Sequence, residues 1–260
     1  MIEEPYRWME AIANRREYIE HQIASGSPIV GLTYRDGILL FTVGRDRQKV
    51  FEIYDRIAMG AIGHPGDLER LRMTAIELAG AEGFTRSADD VSLRRLATYS
   101  LSPALKAAFE QIYGPPYLAR MLFAELGRGK SPNLFLRLDY DGSLHSNGGA
   151  FGRTFEDFGV VAGTAVATAN MERFLREQAK TDASLEKALE IAAEAWSVGH
   201  LASHDSEGDQ LPSQEQIRAH QKEQFAEAAL EAGILQNTTS LRITFRSLPE
   251  PEIRALLGSR

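Results

Sequence analysis

His200 and His204 lie four residues apart, with Asp205 directly after the second and Asp209 close behind, and of all residues in the chain their spacing comes nearest to a metal site. On a helix such a pair presents two imidazoles to one ligand, and a carboxylate would add a third donor. The surroundings argue against it: the stretch from Ser203 to Gln210 reads as a polar loop and no glutamate follows His200, so the pair reads as a solvated helix end and no metal is assigned. A second group is Lys49, Glu52, Tyr54, Asp55 and Arg56. Taken alone, the last four are a polar turn between strands with Arg56 pairing locally, and Lys49 is a solvated strand-edge charge. Gly31, Gly63 and Gly66 fall in no Gly-x-x-x-x-Gly-Lys-Ser/Thr pattern, so a phosphate loop is excluded. Cysteine is absent, which removes thiolate ligands, disulfides and thiol nucleophiles together.

With 43% hydrophobic and 25% charged residues, the 260-residue chain has the balance of an ordinary folded protein. The 36 acidic side chains outnumber the 29 basic ones, and a net charge of -7 opposes sequence-independent capture by nucleic acid or an anionic membrane. The first residues lack a basic stretch leading into an apolar one, and no segment approaches the ~20 apolar residues that span a bilayer. The expectation is a cytoplasmic protein, without cofactor, in which residues 1–260 form a single domain.

The elements that must position these groups follow from periodicity. Tyr6 to Ala24 places Trp8, Met9, Ile12, Ile19 and Ile23 near one helical face, and Gly26 and Pro28 then stop the helix. Ile29 to Tyr34 and Ile38 to Thr42 flank Arg35-Asp36-Gly37 as a hairpin, and Lys49 to Tyr54 with Ile57 to Ile62 form a second pair. Helices are expected from Asp67 to Ala81 and from Asp89 to Tyr113, the latter bent at Pro103. Strands follow at Tyr117 to Leu126, Asn133 to Tyr140, Ser143 to Asn147 and Phe158 to Ala162. Ala165 to Gln178 and Ser184 to Val198 have strong helix propensity; Ser213-Gln214-Glu215-Gln216 has capping-box spacing and opens a helix to about Ala232. Thr239 to Phe245 reads as a last strand and Pro249 to Leu257 as a last helix. Strands, helices, strands, helices is not βαβ alternation; it predicts an α+β fold of two antiparallel sheets, each covered outside by helices.

The stretch Val30-Gly31-Leu32-Thr33-Tyr34-x-Asp36-Gly37-Ile38-Leu39-Leu40, then Lys49-Val50-Phe51-Glu52-Ile53-Tyr54-Asp55-Arg56-Ile57, then Gly63 and Asp67-Leu68-Glu69-x-Leu71-Arg72, resembles the α-type subunit of the 20S proteasome in its bacterial, actinobacterial-like form. The resemblance continues through Leu138-Asp139-Tyr140-Asp141-Gly142 and returns at Leu241 to Leu257. It implies the four-layer αββα sandwich of the N-terminal-nucleophile hydrolases. It also implies a homo-heptameric α-ring stacked on proteolytic β-subunits and admitting unfolded protein substrates. The segment 1–27 would be the N-terminal tail and ring-surface helix, and 201–237 a helical insertion.

A catalytic relative exposes a threonine whose own α-amine activates the hydroxyl. The comparable residue is Ser27, a nucleophile only if the chain is cleaved after Gly26. The acidic residue expected at the end of the next strand is replaced by Val43-Gly44, and the basic residue expected near the fourth strand falls at about Met59, so the resemblance implies a noncatalytic subunit. The alternative is an autoprocessed hydrolase using Ser27. In bacterial relatives a lysine at the place of Lys49 sits between adjacent α-subunits. There it meets the C-terminal carboxylate of a ring-shaped activator or ATPase ending in hydrophobic-Tyr-x. Glu52, Tyr54, Asp55 and Arg56 are expected to be intersubunit or structural.

Overall fold

A computed structural model describes residues 5–44, 47–111, 113–129, 131–146, 157–204, 210–237 and 244–258. In chain order the elements are α1 (Pro5–Ile23), β1 (Ile29–Tyr34), β2 (Gly37–Gly44), β3 (Val50–Tyr54), β4 (Ile57–Gly63), α2 (Pro65–Thr85), α3 (Leu93–Leu96), α4 (Ser102–Glu110), β5 (Ala119–Glu125), β6 (Leu134–Leu138), β7 (Leu144–His145) and β8 (Phe158–Val161). They are followed by α5 (Ala165–Gln178), α6 (Leu185–His204), α7 (Gln214–Glu227), β9 (Ala229–Gln236), β10 (Phe245–Leu248) and α8 (Glu250–Leu257). One sheet has the order β10-β9-β2-β1-β8 and the other β3-β4-β5-β6-β7, with every adjacent pair antiparallel.

The two-residue alternation of the strands builds the layers. Ile29, Ile38 and Leu40 of the first sheet meet Ala58, Leu122 and Phe135 of the second in one buried cluster between the sheets. Their neighbours Val30, Leu32, Leu39 and Phe41 face the other way, onto α5 and α6. Met59, Ala61, Met121 and Phe123 likewise turn outward onto α2 to α4. The result is helices, sheet, sheet, helices. All eight positions of β2 are buried, and each large aliphatic side chain so enclosed contributes about 1.5–3 kcal/mol.

Local chemistry sets the boundaries. The first hairpin closes through a two-residue loop, with Gly37 opening β2 at φ 154, opposite Tyr34. Ser213 and Gln216 form the reciprocal capping box that opens α7. The single helix expected from Asp89 to Tyr113 is instead a short 3-10 turn, α3, a π-helical turn over Ala97–Leu101, and α4. Pro103 has no N–H to bond back along the helix, and the turn before it widens so that the Ser102 N–H bonds to the Ala97 carbonyl.

Three further expectations change. The helix expected to end at Val198 runs to His204, so both histidines lie on α6. The helix expected to reach Ala232 stops at Glu227, and Ala229–Gln236 is β9, paired with β2 along its full length. The Ala-Leu-Glu-Ala composition favours a helix in isolation, but eight cross-strand pairs and burial of Leu230, Ala232 and Ile234 override it. The segment 201–237 is therefore not a helical insertion throughout: it ends in a strand interior to the first sheet. The final strand is Phe245–Leu248, sharing only Phe245 with the expected Thr239 to Phe245, of which residues 239–243 lie outside the described residues. The return strand expected to reach Asn147 is Leu144–His145, and Asn147 also lies outside them.

Helix α1 is half docked. Ile19 and Ile23 are buried against Phe109 and Tyr140, whereas Trp8 and Met9 are 49% and 64% exposed. A buried polar cluster holds the docked half. Arg120, 7% exposed, donates to Asp139, to Glu20 of α1 at 3.0 Å and to the Ala162 carbonyl at 2.9 Å. The Tyr140 hydroxyl donates to Glu20 at 2.7 Å. Desolvation works against the charged Arg120 guanidinium, but the carboxylates of Asp139 and Glu20 outweigh it and hold its pKa above the ordinary value. Desolvation and Glu20 together push the Tyr140 phenol up. Removing Arg120 would take from Asp139 its most buried partner and leave it Arg137 and His145 at 3.4 and 3.5 Å, so R120A should lose about 1–3 kcal/mol. E20Q, altering a partly exposed group, should lose less than about 1 kcal/mol. Urea unfolding of the two variants checks the pair, and equal losses would contradict the cluster as an anchor of α1.

Candidate functional site

The register of the first sheet puts three residues in one row at its end. Thr42 of β2 lies opposite Ile29 of β1 on one side and Glu231 of β9 on the other. Directly opposed residues share a face, so Glu231, like Ile29, turns toward the second sheet. There its two carboxylate oxygens accept the Lys49 N–H at 3.0 and 2.9 Å and one accepts the Val50 N–H at 2.8 Å. This carboxylate bonds one sheet to the start of the edge strand of the other. It also fixes the backbone that carries the Lys49 side chain.

Lys49 turns its ammonium to within 3.5 Å of the Val43 carbonyl. The same carbonyl accepts the Ser27 hydroxyl at 2.5 Å. Ser27 in turn accepts the indole N–H of Trp196 at 3.0 Å, and Thr42 donates to the Pro28 carbonyl at 2.7 Å. Ser27, Val43, Lys49 and Trp196 line a cavity of about 760 Å³ whose walls come from Gly26 and Ser27 before β1, the end of β2, Lys49, the β4–α2 junction and α6. Gly63 forms part of that junction with φ 136, where a Cβ would collide with the Leu118 carbonyl. Burial lowers the pKa of Lys49, with the Glu231 carboxylate offsetting part of the effect. Burial also raises that of Glu231, against the two backbone donors and Lys49 that favour its charge.

The Ser27 hydroxyl has two partners: its proton goes to the Val43 carbonyl and an oxygen lone pair takes the Trp196 N–H. The end of the next strand is Val43-Gly44, with no acidic side chain. Met59 is buried in the outer cluster of the second sheet and has no part in the site. The basic residue beside Ser27 is Lys49, which the segment between β2 and β3 brings round from a different position in the chain.

Glu52, Tyr54 and Asp55 line a groove of about 780 Å³ along β3 that adjoins the cavity, the two sharing Gln48, Phe51 and Glu69. Burial, and secondarily Asp55, raises the pKa of Glu52. The Asp55 carbonyl accepts the Thr244 hydroxyl at 2.6 Å. Arg56 donates to the Leu126 carbonyl at 2.5 Å and to Glu125 at 3.4 Å. Burial lowers the Arg56 pKa while Glu125 raises it. Lys49 thus faces the cavity, Glu52, Tyr54 and Asp55 face the groove, and Arg56 is spent on Leu126 and Glu125.

On α6 the histidines make a stack. Nδ1 of His200 meets Nε2 of His220 from α7 at 2.9 Å, and Nδ1 of His204 donates to the His200 carbonyl at 2.9 Å. Trp196 stacks on His200 with ring centroids 4.8 Å apart. Among the described residues no three His, Asp or Glu side chains are grouped to hold a metal ion; Asp205 and Asp209 lie outside them. Sequence reasoning missed Glu231, Trp196 and His220. Trp196 and His220 were hidden among helical core positions. Glu231 becomes visible only when its segment is read as a strand, for which Gly233 and the apolar pair Ile234-Leu235 were the available signal.

Two face-to-face antiparallel sheets between helical layers, with a serine at the head of β1 and a lysine beside it, define the N-terminal-nucleophile architecture. The proteasome subunit family matches residues 23–210, and the chain belongs to that family. Over 96% of its length it is 29% identical to the proteasome subunit alpha of Frankia casuarinae, covering 93% of that protein. It is equally similar to that of Nocardioides sp., at 29% over 96% of this chain and 87% of the relative. The proteasome subunit alpha of Streptomyces scabiei is 32% identical over 72% of each chain.

The tie between the sheets generates a prediction. E231A leaves two backbone N–H groups without acceptors and should cost about 1–3 kcal/mol, with E231Q losing less. Because burial raises the Glu231 pKa, the folded state holds more protons than the unfolded one between the ordinary glutamate value and the raised one. Acidification through that window therefore favours folding at this residue. Amide exchange at Lys49 and Val50 should accelerate in E231A, and unchanged protection would refute the tie.

Proposed function

We propose that this chain is the α-type subunit of a 20S proteasome core: seven copies form the outer ring, which stacks on proteolytic β-subunits and passes unfolded chains to them. The observation that carries the reading is likeness to α subunits across nearly the whole chain. The chemistry agrees with a noncatalytic role. A hydroxyl that already donates to Val43 and accepts from Trp196 has neither the free amine nor the acidic neighbour that would activate it. The exposed Trp8 and Met9 on α1 supply an apolar strip for the same helix of a neighbouring copy.

Within the ring, Lys49 is the residue for docking an activator. Its ammonium stands in a cavity large enough for a chain terminus, and a charge-assisted bond to a terminal carboxylate is worth roughly 1.5–3 kcal/mol. Seven such cavities facing a ring-shaped ATPase convert a weak contact into avid binding. Localisation in the cytoplasm fits this role, and no described helix is long and apolar enough to cross a membrane.

Two measurements test the proposal. Co-expression with a β-subunit should give a mixed particle by native mass spectrometry with residues 1–26 intact; a trimmed monomer that cleaves peptides would overturn it. K49A should abolish stimulation by a peptide ending in hydrophobic-Tyr-x while leaving particle mass unchanged. Because burial depresses the Lys49 pKa, the unfolded chain binds protons more strongly between the depressed and ordinary values, and folding gains there as pH rises. Below that window the buried ammonium opposes folding, so K49A should melt no lower than wild type. A clear drop in Tm would recast Lys49 as a structural residue.

A further inference from the structure

Lys49 differs from the other lysines among the described residues. Lys106 and Lys187 are exposed and ion-paired with Glu110 and Glu190, at 2.5 and 2.8 Å, and Lys180 and Lys222 are exposed to water. Lys49 is partly buried, and its one side-chain hydrogen bond among the described residues is the 3.5 Å contact to the Val43 carbonyl. Glu231 gives its carboxylate oxygens to the Lys49 and Val50 backbone N–H groups, and Glu69, the acidic residue of the cavity wall, is paired with Arg72. Among the described residues, therefore, no carboxylate is ion-paired with the Lys49 amine.

Burial favours the neutral form of this amine, with the Glu231 carboxylate working in the other direction. A desolvated lysine that keeps its lone pair is a nucleophile. Space for a reaction is present as well. Gly44 has no Cβ, and one placed there would stand 4.0 Å from the nitrogen. Lys49 lines the cavity of about 760 Å³, which admits a small electrophile. Arg47, exposed on the same wall, adds a fixed cation that attracts an anionic one.

We propose that Lys49 is a modification site: its amine accepts an acyl group from a small acyl phosphate, and the resulting amide removes the charge that a docking terminus needs. The nitrogen lone pair attacks the acyl carbon and the carbon–oxygen bond to phosphate breaks. Inorganic phosphate leaves with that electron pair, and the nitrogen releases one proton to solvent. The product is neutral, so burial no longer works against a charge at this place. Its reactivity follows from the enclosure of the amine alone, whereas the loss of docking rests on the docking reading given above.

The test treats the assembled particle with acetyl phosphate near neutral pH and follows acetylation of each lysine by peptide mass spectrometry. Lys49 should react at least about threefold faster than any of Lys106, Lys180, Lys187 and Lys222. A fluorescent peptide ending in hydrophobic-Tyr-x should then bind at least about tenfold more weakly, in proportion to Lys49 acetylation. K49R carries a guanidinium that stays protonated, and treatment should leave its own affinity for the peptide unchanged. A Lys49 rate no greater than those of the exposed lysines would overturn the modification site while the docking reading stands. A loss of binding that K49R shares would place the effect at another residue and overturn the link to docking. Fast acetylation with undiminished peptide binding would overturn that link and the docking reading together, and absence of binding by the untreated particle would overturn the docking reading alone.

Discussion

The site depends on the register between β2 and β9. Eight uninterrupted pairs carry Glu231 to the place opposite Thr42, on the face that looks across at the second sheet. A shift of one residue would turn its carboxylate outward into the helical layer. In the observed register it closes the gap between sheets with three backbone hydrogen bonds and sets the start of β3. The apolar cluster between the sheets holds them together but has no direction; the carboxylate supplies the direction, and Lys49 is where it is because of it.

That arrangement is not the cheapest available. Burial disfavours the charged forms of both Lys49 and Glu231, and a well-packed apolar pair would avoid the desolvation cost altogether. Thr42 and Ser27, by contrast, satisfy their hydroxyls on neighbouring carbonyls. The apolar layer between the sheets thus ends in polar groups, with a cation facing an open volume. On the proposed reading, this cost is retained because the cation serves binding. On the proposed noncatalytic reading, the Ser27 hydroxyl at the head of β1 serves as a bridge between the Val43 carbonyl and the Trp196 indole.

Most of the architecture was legible because period-2 burial is strong when both faces of a strand are covered. Ile29 to Tyr34 and Ile38 to Leu40 could not be helices without exposing half of their apolar side chains. The capping box at Ser213 was legible because its hydrogen bonds are local. Residues 229–236 were not, since their strand identity comes from β2, nearly two hundred residues earlier, and their composition argues for helix. The site was half legible for the same reason. Lys49, taken alone a strand-edge charge, was singled out only by the family resemblance, and counting along the chain toward Met59 assumed an uninterrupted offset that the segment between β2 and β3 breaks. Glu231, Trp196 and His220 join the site only through tertiary contact.

The cavity and α1 are mechanically close. Helix α1 ends at Ile23, the Gly26 N–H bonds back to the Ile23 carbonyl at 2.9 Å, and Gly26 and Ser27 already form the cavity wall. On the far side of Ile23 the helix is clamped through Glu20 to Arg120, which also holds the Ala162 carbonyl. A group that enters beside Lys49 and displaces this wall therefore has no slack residue to absorb the movement. Any such shift of α1 also strains the Glu20–Arg120 pair that the helix carries, while Ile12 packs on the cluster of Ile19, Ile23, Phe109 and Tyr140 and Trp8 and Met9 beyond it stay exposed. On the proposed reading, the free half of α1 is where occupancy of the cavity becomes visible at the ring surface.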